Sequence, residues 1–394
     1  MPVYLDHAAT TPLRREALDA MLPALSDAYG NPSSAHSVGR RARAALDEAH
    51  ERLARSLNAE AREIVFTSGG TEAINLALKG AAWAGKAQGN RIITSSVEHH
   101  AVLHTLQHLQ RYGFEVVQLP VDRYGRLDPE QLDAAIDERT ILVSLLLGNN
   151  EVGTVQPISE LVRRVRAHKN VAIHLDAVQA APYMALDVQA LDVDLLSLAA
   201  HKFEGPKGIG ALYIRHRTVL LPQQHGGTQE RYRRAGTENV AGAVGMAVAY
   251  ELCCTERAET VSRLARLRDR LREAVLAVPN VELTGHPRKR LPGHLSIIAR
   301  EADGEALTLA LDLEGICCSV GSACTTGSTE PSHVLTAMGY PEDEARGALR
   351  LSLGRTNTAE QIERAAEVVP ATIERMRSAG AAVAADPLGE QVGA

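Results

Sequence analysis

Seven short runs rich in valine, isoleucine and leucine recur through the first part of this chain, at 63–67, 91–95, 114–119, 140–147, 171–175, 193–198 and 210–215. Each reads as a buried strand. The segments between them carry helical periodicity, as in 40–57, where Ala42, Ala45, Leu46, Ala49, Leu53 and Leu57 fall on one face. Strands alternating with helices are the pattern of an α/β domain, so one large, mostly parallel seven-stranded sheet is expected. A long helical region over about 239–278 leads to a second set of elements, with strands near 294–299 and 348–353 and helices around 304–313 and 358–376. The expected division is a large domain over 14–260, a smaller α/β C-terminal domain made of 261–377 with 1–13, and a flexible Ala- and Gly-rich tail over 378–394.

Composition narrows the class of partner. With 394 residues and 45% hydrophobic content the chain has ample material for a sizeable core. Its formal charge of −6 is mild and spread out, which argues against nucleic acid or a membrane surface as a direct partner. The start, Met1-Pro-Val-Tyr-Leu-Asp-His, has neither a basic stretch nor an apolar run, so no signal peptide is expected. The purest apolar stretch, 141–147, is far shorter than the ~20 residues of a membrane span. Five cysteines, an odd number in a long chain, speak against a disulfide framework and for a reducing cytoplasm.

Two of the strand-like runs end in chemistry. Ile173-His-Leu-Asp-Ala-Val-Gln179 closes on Asp176, and Asp194-Leu-Leu-Ser-Leu-Ala-Ala-His-Lys-Phe-Glu-Gly-Pro-Lys-Gly208 leads to Lys202. An acid after one strand and a lysine after another can share a cleft at the carboxyl edge of a parallel sheet. Pyridoxal 5'-phosphate needs that pair, an amine for its aldehyde and an acid to keep its pyridine nitrogen protonated. Phe66-Thr-Ser-Gly-Gly-Thr-Glu-Ala-Ile-Asn75 reads as strand, glycine turn and helix start, where the amides of Gly70 and Thr71 can face a phosphate; an ordinary capped helix has the same pattern. His99 follows the run 91–95 and could stack on the ring and move protons. Asn150, in Gly148-Asn-Asn-Glu-Val-Gly153, could donate to the phenolic oxygen, with a simple turn as the bland alternative.

In this order these runs, together with Tyr4-Leu-Asp-His-Ala-Ala-Thr-Thr-Pro12, Gly30-Asn-Pro-Ser-Ser34 and Arg350-Leu-Ser-Leu-Gly-Arg355, resemble the cysteine desulfurases of the aminotransferase-like superfamily, fold type I. The resemblance covers nearly everything but the tail. It implies a homodimer dependent on pyridoxal 5'-phosphate, with Lys202 carrying the Schiff base, Asp176 on the pyridine nitrogen, Gln179 and Asn150 near the phenolic oxygen, and His99 stacked on the ring. Phosphate contacts would come from Gly70, Thr71 and His201, and from Thr237 of the partner subunit, in Gly236-Thr-Glu-Asn239.

Cys324 lies in Ser319-Val-Gly-Ser-Ala-Cys-Thr-Thr-Gly-Ser-Thr-Glu-Pro-Ser332, a composition that stays mobile and solvated rather than packed, so it reads as a reactive thiol. The first group of the desulfurases carries its nucleophile in such a loop. Cys253, Cys254, Cys317 and Cys318 sit in apolar surroundings that suit packing, with oxidative pairing of Cys318 and Cys324 left open. Arg350 matches the family position that clamps the substrate carboxylate, with Arg355 as the alternative. His100, His104 and His108 share a helical face, but no acid or cysteine completes a metal site there, and none is expected. The chain departs from the resemblance at Ala199, where a phosphate-binding serine is common, and in 379–394, where no scaffold-docking segment is recognisable.

The implied reaction converts L-cysteine to L-alanine and leaves a persulfide on Cys324 for an iron–sulfur scaffold or a tRNA-thiolating enzyme. The alternatives are an aminotransferase, a selenocysteine lyase-like enzyme, or a non-catalytic sulfur-relay scaffold. A mobile cysteine is of no use to an aminotransferase, and the set Lys202, Asp176, His99, Cys324 and Arg350 is of no use to a scaffold.

Overall fold

The computed structural model describes residues 2–321 and 331–385. Twelve strands occur among them: β1 (Val3–Tyr4), β2 (Ile64–Thr67), β3 (Arg91–Ser95), β4 (Glu115–Leu119), β5 (Thr140–Leu146), β6 (Ala172–Asp176), β7 (Leu195–Ala199), β8 (Gly210–Ile214), β9 (Val281–Leu283), β10 (His294–Ala299), β11 (Ile316–Cys317) and β12 (Ala348–Ser352). Seven form one sheet in the order β2-β8-β7-β6-β5-β3-β4. Only β8 runs against its neighbours.

Both faces of this sheet are covered. Every residue of β2, β5, β7 and β8 is buried, which is why these strands read as nearly continuous apolar runs, interrupted at Ser144 and Ser197, instead of alternating ones. Phe66, Val143 and Leu145 pack with Leu46, Leu53 and Leu57 of the helix Ser37–Leu57. Val65, Leu142 and Leu212 point the other way, onto Leu76 and Leu78 of the helix Gly70–Gly85 and Val102 and Leu106 of the helix His100–Gln110. The helix Ser37–Leu57 stops where Asn58 enters the left-handed region at φ 55° and its amide caps the last turn.

The long helix Val240–Leu276 joins two cores. Its first half contributes Ala243, Met246 and Tyr250 to the core of the large sheet, and its second half contributes Leu264, Leu271 and Val275 to a second core under the antiparallel sheet β12-β10-β9. β1 pairs in parallel with β11, and the chain after it crosses from that sheet to the large one: His7 N bonds Ser352 O, and Thr11 N bonds His201 O.

The seven main strands fall within two residues of their expected ends. Sequence reading missed β1, β9 and β11, which are too short to show a period. The last helix, Ala359–Ala385, also runs past Ser378, where fraying was expected to begin, because the alanine that makes the tail simple in composition is the strongest helix former. Among the described residues no helix is long and apolar enough to cross a membrane.

Candidate active site

Because β5, β6 and β7 are parallel neighbours, their carboxyl ends open on the same edge, and a cavity of about 350 Å³ lies there. It is lined by Gly70, Thr71, His99, Asn150, Asp176, Gln179, His201, Lys202 and Arg350. Nine residues singled out from sequence, spread over nearly 300 positions, thus meet in one place. Thr237 does not: it is exposed, just before the helix Val240–Leu276, and does not line the cavity of its own chain. Cys324 lies outside the described residues.

Asp176 ends β6 and is 2% exposed, with its carboxylate accepting from Val178 N at 3.0 Å. Burial pushes its pKa up to about 6 against the pull of the Val178 amide and the Lys202 charge. Lys202 closes the short turn Ala200–Lys202 after β7, and its Nζ donates to Ala8 O at 2.6 Å and Ala9 O at 2.8 Å. His99 caps the helix His100–Gln110 by accepting from Ala101 N through Nδ1 at 3.0 Å, so its proton sits on Nε2. Burial, reinforced by Lys202 and neighbouring histidines, lowers its pKa to about 4. It is therefore a neutral ring at pH 7. Burial and the charges of Lys202 and Lys207 likewise lower His201 to about 4, and Thr10 Oγ1 stands 3.2 Å from its Nδ1.

The helix Gly70–Gly85 begins without a side-chain cap, so its first amides are free to meet an anion. A Cβ on Gly70 would stand 3.0 Å from a Val178 methyl and 3.4 Å from Ala199 Cβ, so only glycine brings this helix start so close to the cavity wall. The fit to pyridoxal phosphate rests on this cradle and on the buried acid and the lysine that line the same cavity.

Arg350 is 2% exposed and largely committed. Nη1 donates to Asn150 O and Gly321 O, both at 3.0 Å, and Nη2 to Asp6 Oδ1 at 2.8 Å. Its Nε is buried and without a partner. A guanidinium has five N–H groups, so Nε–H and one Nη2–H remain unspent, donors of the kind a carboxylate accepts. Arg355 instead pairs with Glu204 at 2.7 Å and does not line this cavity.

Sequence reasoning missed the supporting residues. Asp6, Ala8, Ala9, Thr10 and Thr11 touch Arg350, Lys202 and His201 between them, yet the run Tyr4–Pro12 had served only as a match to the family. Glu151 takes a 2.5 Å hydrogen bond from Ser332 Oγ, and His333 Nε2 reaches Glu98 O at 3.0 Å. The histidine stripe adjoins the cavity in an open groove with Thr71, Asn75 and Lys79, and the rings of His100 and His104 lie 5.1 Å apart. Among the described residues no group of three or more His, Cys, Asp or Glu has the arrangement of a metal site. Burial raises Cys253 and Cys318 to about 12, which leaves both thiols protonated and inert at neutral pH.

Glu98 is an unexpected buried acid. One of its oxygens accepts from Ser95 Oγ at 2.5 Å and Leu146 N at 3.0 Å, while the other has no partner. Burial, opposed by the Ser95 bond and helped by Asp176, pushes its pKa from 4.5 up to about 8. Between those values the folded chain binds a proton that the unfolded chain has lost, so stability falls as pH rises through that window. Glu98→Gln keeps the accepting oxygen and removes the titration. The variant should match wild type at pH 5 and exceed it at pH 9 by on the order of a few kcal/mol in urea unfolding; equal pH profiles would refute a proton on Glu98.

Residues 3–365 match the family described as Aminotransferase class-V. The chain is 50% identical over 376 residues to "Cysteine desulfurase IscS" of Methanosarcina thermophila, covering 95% of this chain and 93% of the relative. Among solved structures it resembles "NIFS-LIKE PROTEIN", with a TM-score of 0.90 and 37% identity over 95% of this chain and 100% of the other. It also resembles "SspA in complex with cysteine", with a TM-score of 0.79 and 36% identity over 89% and 98% of the two chains. A seven-stranded sheet with a lysine and an acid at its carboxyl edge and likeness along nearly the whole length lead to one conclusion: the chain belongs to the class-V aminotransferase family, among the cysteine desulfurases.

Proposed function

We propose that this protein removes sulfur from L-cysteine with pyridoxal 5'-phosphate as cofactor, releasing L-alanine and leaving a persulfide on Cys324. The observation that carries the reading is the convergence of Lys202, Asp176, His99 and Arg350 on one cavity. Bound cofactor supplies an aldehyde for amines and a protonated ring that draws electrons from the substrate α-carbon. Lys202 would hold that aldehyde, Asp176 would serve the ring nitrogen, and the His99 ring would stack on the cofactor. Gly70, Thr71 and His201 would hold the phosphate, and Asn150 and Gln179 the phenolic oxygen.

The residues then divide the work. Arg350 orients the substrate through Nε–H and Nη2–H, which leaves the substrate amine toward Lys202. Lys202 Nζ, lining the same cavity, would take the α-proton. The Cys324 thiolate bonds the substrate sulfur as the carbon–sulfur bond breaks with its electron pair left on carbon, and the skeleton leaves as alanine after one proton reaches its β-carbon and another returns to its α-carbon. Thr237 is exposed in its own chain, which supports a homodimer in which Thr237 of the partner subunit completes the phosphate site. The sulfur would pass to an acceptor protein, an iron–sulfur scaffold or a tRNA-thiolating enzyme, in the cytoplasm.

Product analysis tests the reading. Holoenzyme given L-cysteine and a reductant should yield alanine and sulfide in equal amounts, and Cys324→Ser should bind cofactor normally yet release almost no sulfide. A keto acid as product would mean transamination. Near-native sulfide from Cys324→Ser would remove Cys324 as the nucleophile.

A further inference from the structure

Gln179 and His294 meet at the cavity wall, and their pairing does not balance as two nitrogens. Gln179 lines the cavity and is 3% exposed, while His294, the first residue of β10, is fully buried behind it. Gln179 Nε2 and His294 Nε2 lie 3.3 Å apart. The same two side chains hold two buried atoms without a hydrogen-bond partner, Gln179 Oε1 and His294 Nδ1.

An amide nitrogen can only donate. In this arrangement the imidazole must accept at Nε2 and carry its proton on Nδ1, which is then a buried N–H with no acceptor. Rotating the amide by half a turn exchanges its oxygen and nitrogen, an ambiguity that only the hydrogen-bond network can settle. The imidazole then carries its proton on Nε2 and donates to Gln179 Oε1. Nδ1 keeps only an unused lone pair, which folded proteins tolerate better than an orphaned N–H. The amide NH2 turns into the cavity. Burial and the charges of Arg350, Arg290 and Lys202 keep the imidazole neutral, so it has a single proton to place.

We propose that His294 is a positioning residue: with its proton on Nε2 it fixes the Gln179 amide so that the NH2 faces the phenolic oxygen of the cofactor. This rests on the reading of the cavity as a pyridoxal phosphate site. His294 is itself held firmly. Arg290 Nε donates to its carbonyl at 3.1 Å, the Tyr183 ring stands edge-on at 6.2 Å, and a Cβ on Gly153 would come within 2.6 Å of His294 Cβ. Since β10 belongs to the smaller sheet, the seating of that sheet sets the direction of a donor on the larger one.

The test is a spectrophotometric pH titration of the holoenzyme without substrate. A donor at the phenolic oxygen favours its anionic form, so His294→Phe should raise the pH at which the visible band loses its proton by about one unit. His294→Gln, whose amide nitrogen can stand where Nε2 stood, should restore it. In a Gln179→Ala background His294→Phe should produce no further shift. An unchanged titration in His294→Phe, or the same shift with and without Gln179, overturns the proposal. Should His294→Phe fail to fold, NMR of wild type carrying 15N-labelled histidine decides, and a proton found on Nδ1 of His294 overturns it. A wild type that takes up no pyridoxal phosphate overturns both this proposal and the function above it, whereas a normally titrating wild type beside an unchanged variant overturns this one alone.

Discussion

Lys202→Ala is expected to lower L-cysteine turnover by about 10³-fold or more, because in the proposed reading it removes both the amine that would hold the cofactor and the base that would take the α-proton. The structure adds a second loss. The Lys202 charge is one of the influences that pull Asp176 down from the range burial imposes, to about 6. Without it the carboxyl of Asp176 is held less firmly in its charged form, the form the proposed reading needs beside the ring nitrogen. Ala8 O and Ala9 O lose their donor as well. Cofactor uptake measured by absorbance and alanine release measured on the same sample should both collapse. Activity within tenfold of wild type would show that Lys202 is not the cofactor lysine.

Arg350→Ala should injure both stability and catalysis. The guanidinium is buried and bonded to Asp6, Asn150 O and Gly321 O, and truncating one member of a buried charged network costs about 3–5 kcal/mol because the remaining groups are stranded. In the proposed reading the substrate carboxylate loses its donors at the same time, so kcat/KM should fall by about 10²-fold or more, with much of the loss in KM. Arg350→Lys should recover part of the stability and little of the KM, since an ammonium cannot present two parallel N–H groups. Chemical unfolding and steady-state kinetics separate the two effects. A stable Arg350→Ala with unaltered KM would free this residue from the substrate.

What could be read from the sequence was local. An apolar run marks a strand, and the polar residue that ends it marks the carboxyl edge, so Asp176 and Lys202 were legible before their strands had an order. Gly70 was legible for the same reason, as a glycine between strand and helix. The partners of these residues were not. Asp6 pairs with Arg350, and Gln179 with His294, across separations that leave no period or spacing in the chain. Glu98 carried a signal only through its neighbour His99, because nothing local distinguishes an acid destined for the core from one on a surface turn. Arg350 could be matched as a carboxylate clamp, but which of its edges is open depends on three acceptors from three distant segments.

The crossing of residues 5–11 between the two sheets also has a consequence for biosynthesis. Leu5 and His7 leave the ribosome roughly 300 residues ahead of the groups that hold them, since Leu5 N bonds Cys317 O and His7 N bonds Ser352 O. At synthesis rates of about 5–20 residues per second, these opening residues wait tens of seconds for their anchors. The large sheet can assemble in the meantime, but the carbonyls of Ala8 and Ala9 reach Lys202 only when the strand that holds them is complete. A nascent chain that has not yet made β12 therefore carries the lysine without its full setting, and on the proposed reading the power to liberate reactive sulfur arrives only with that strand.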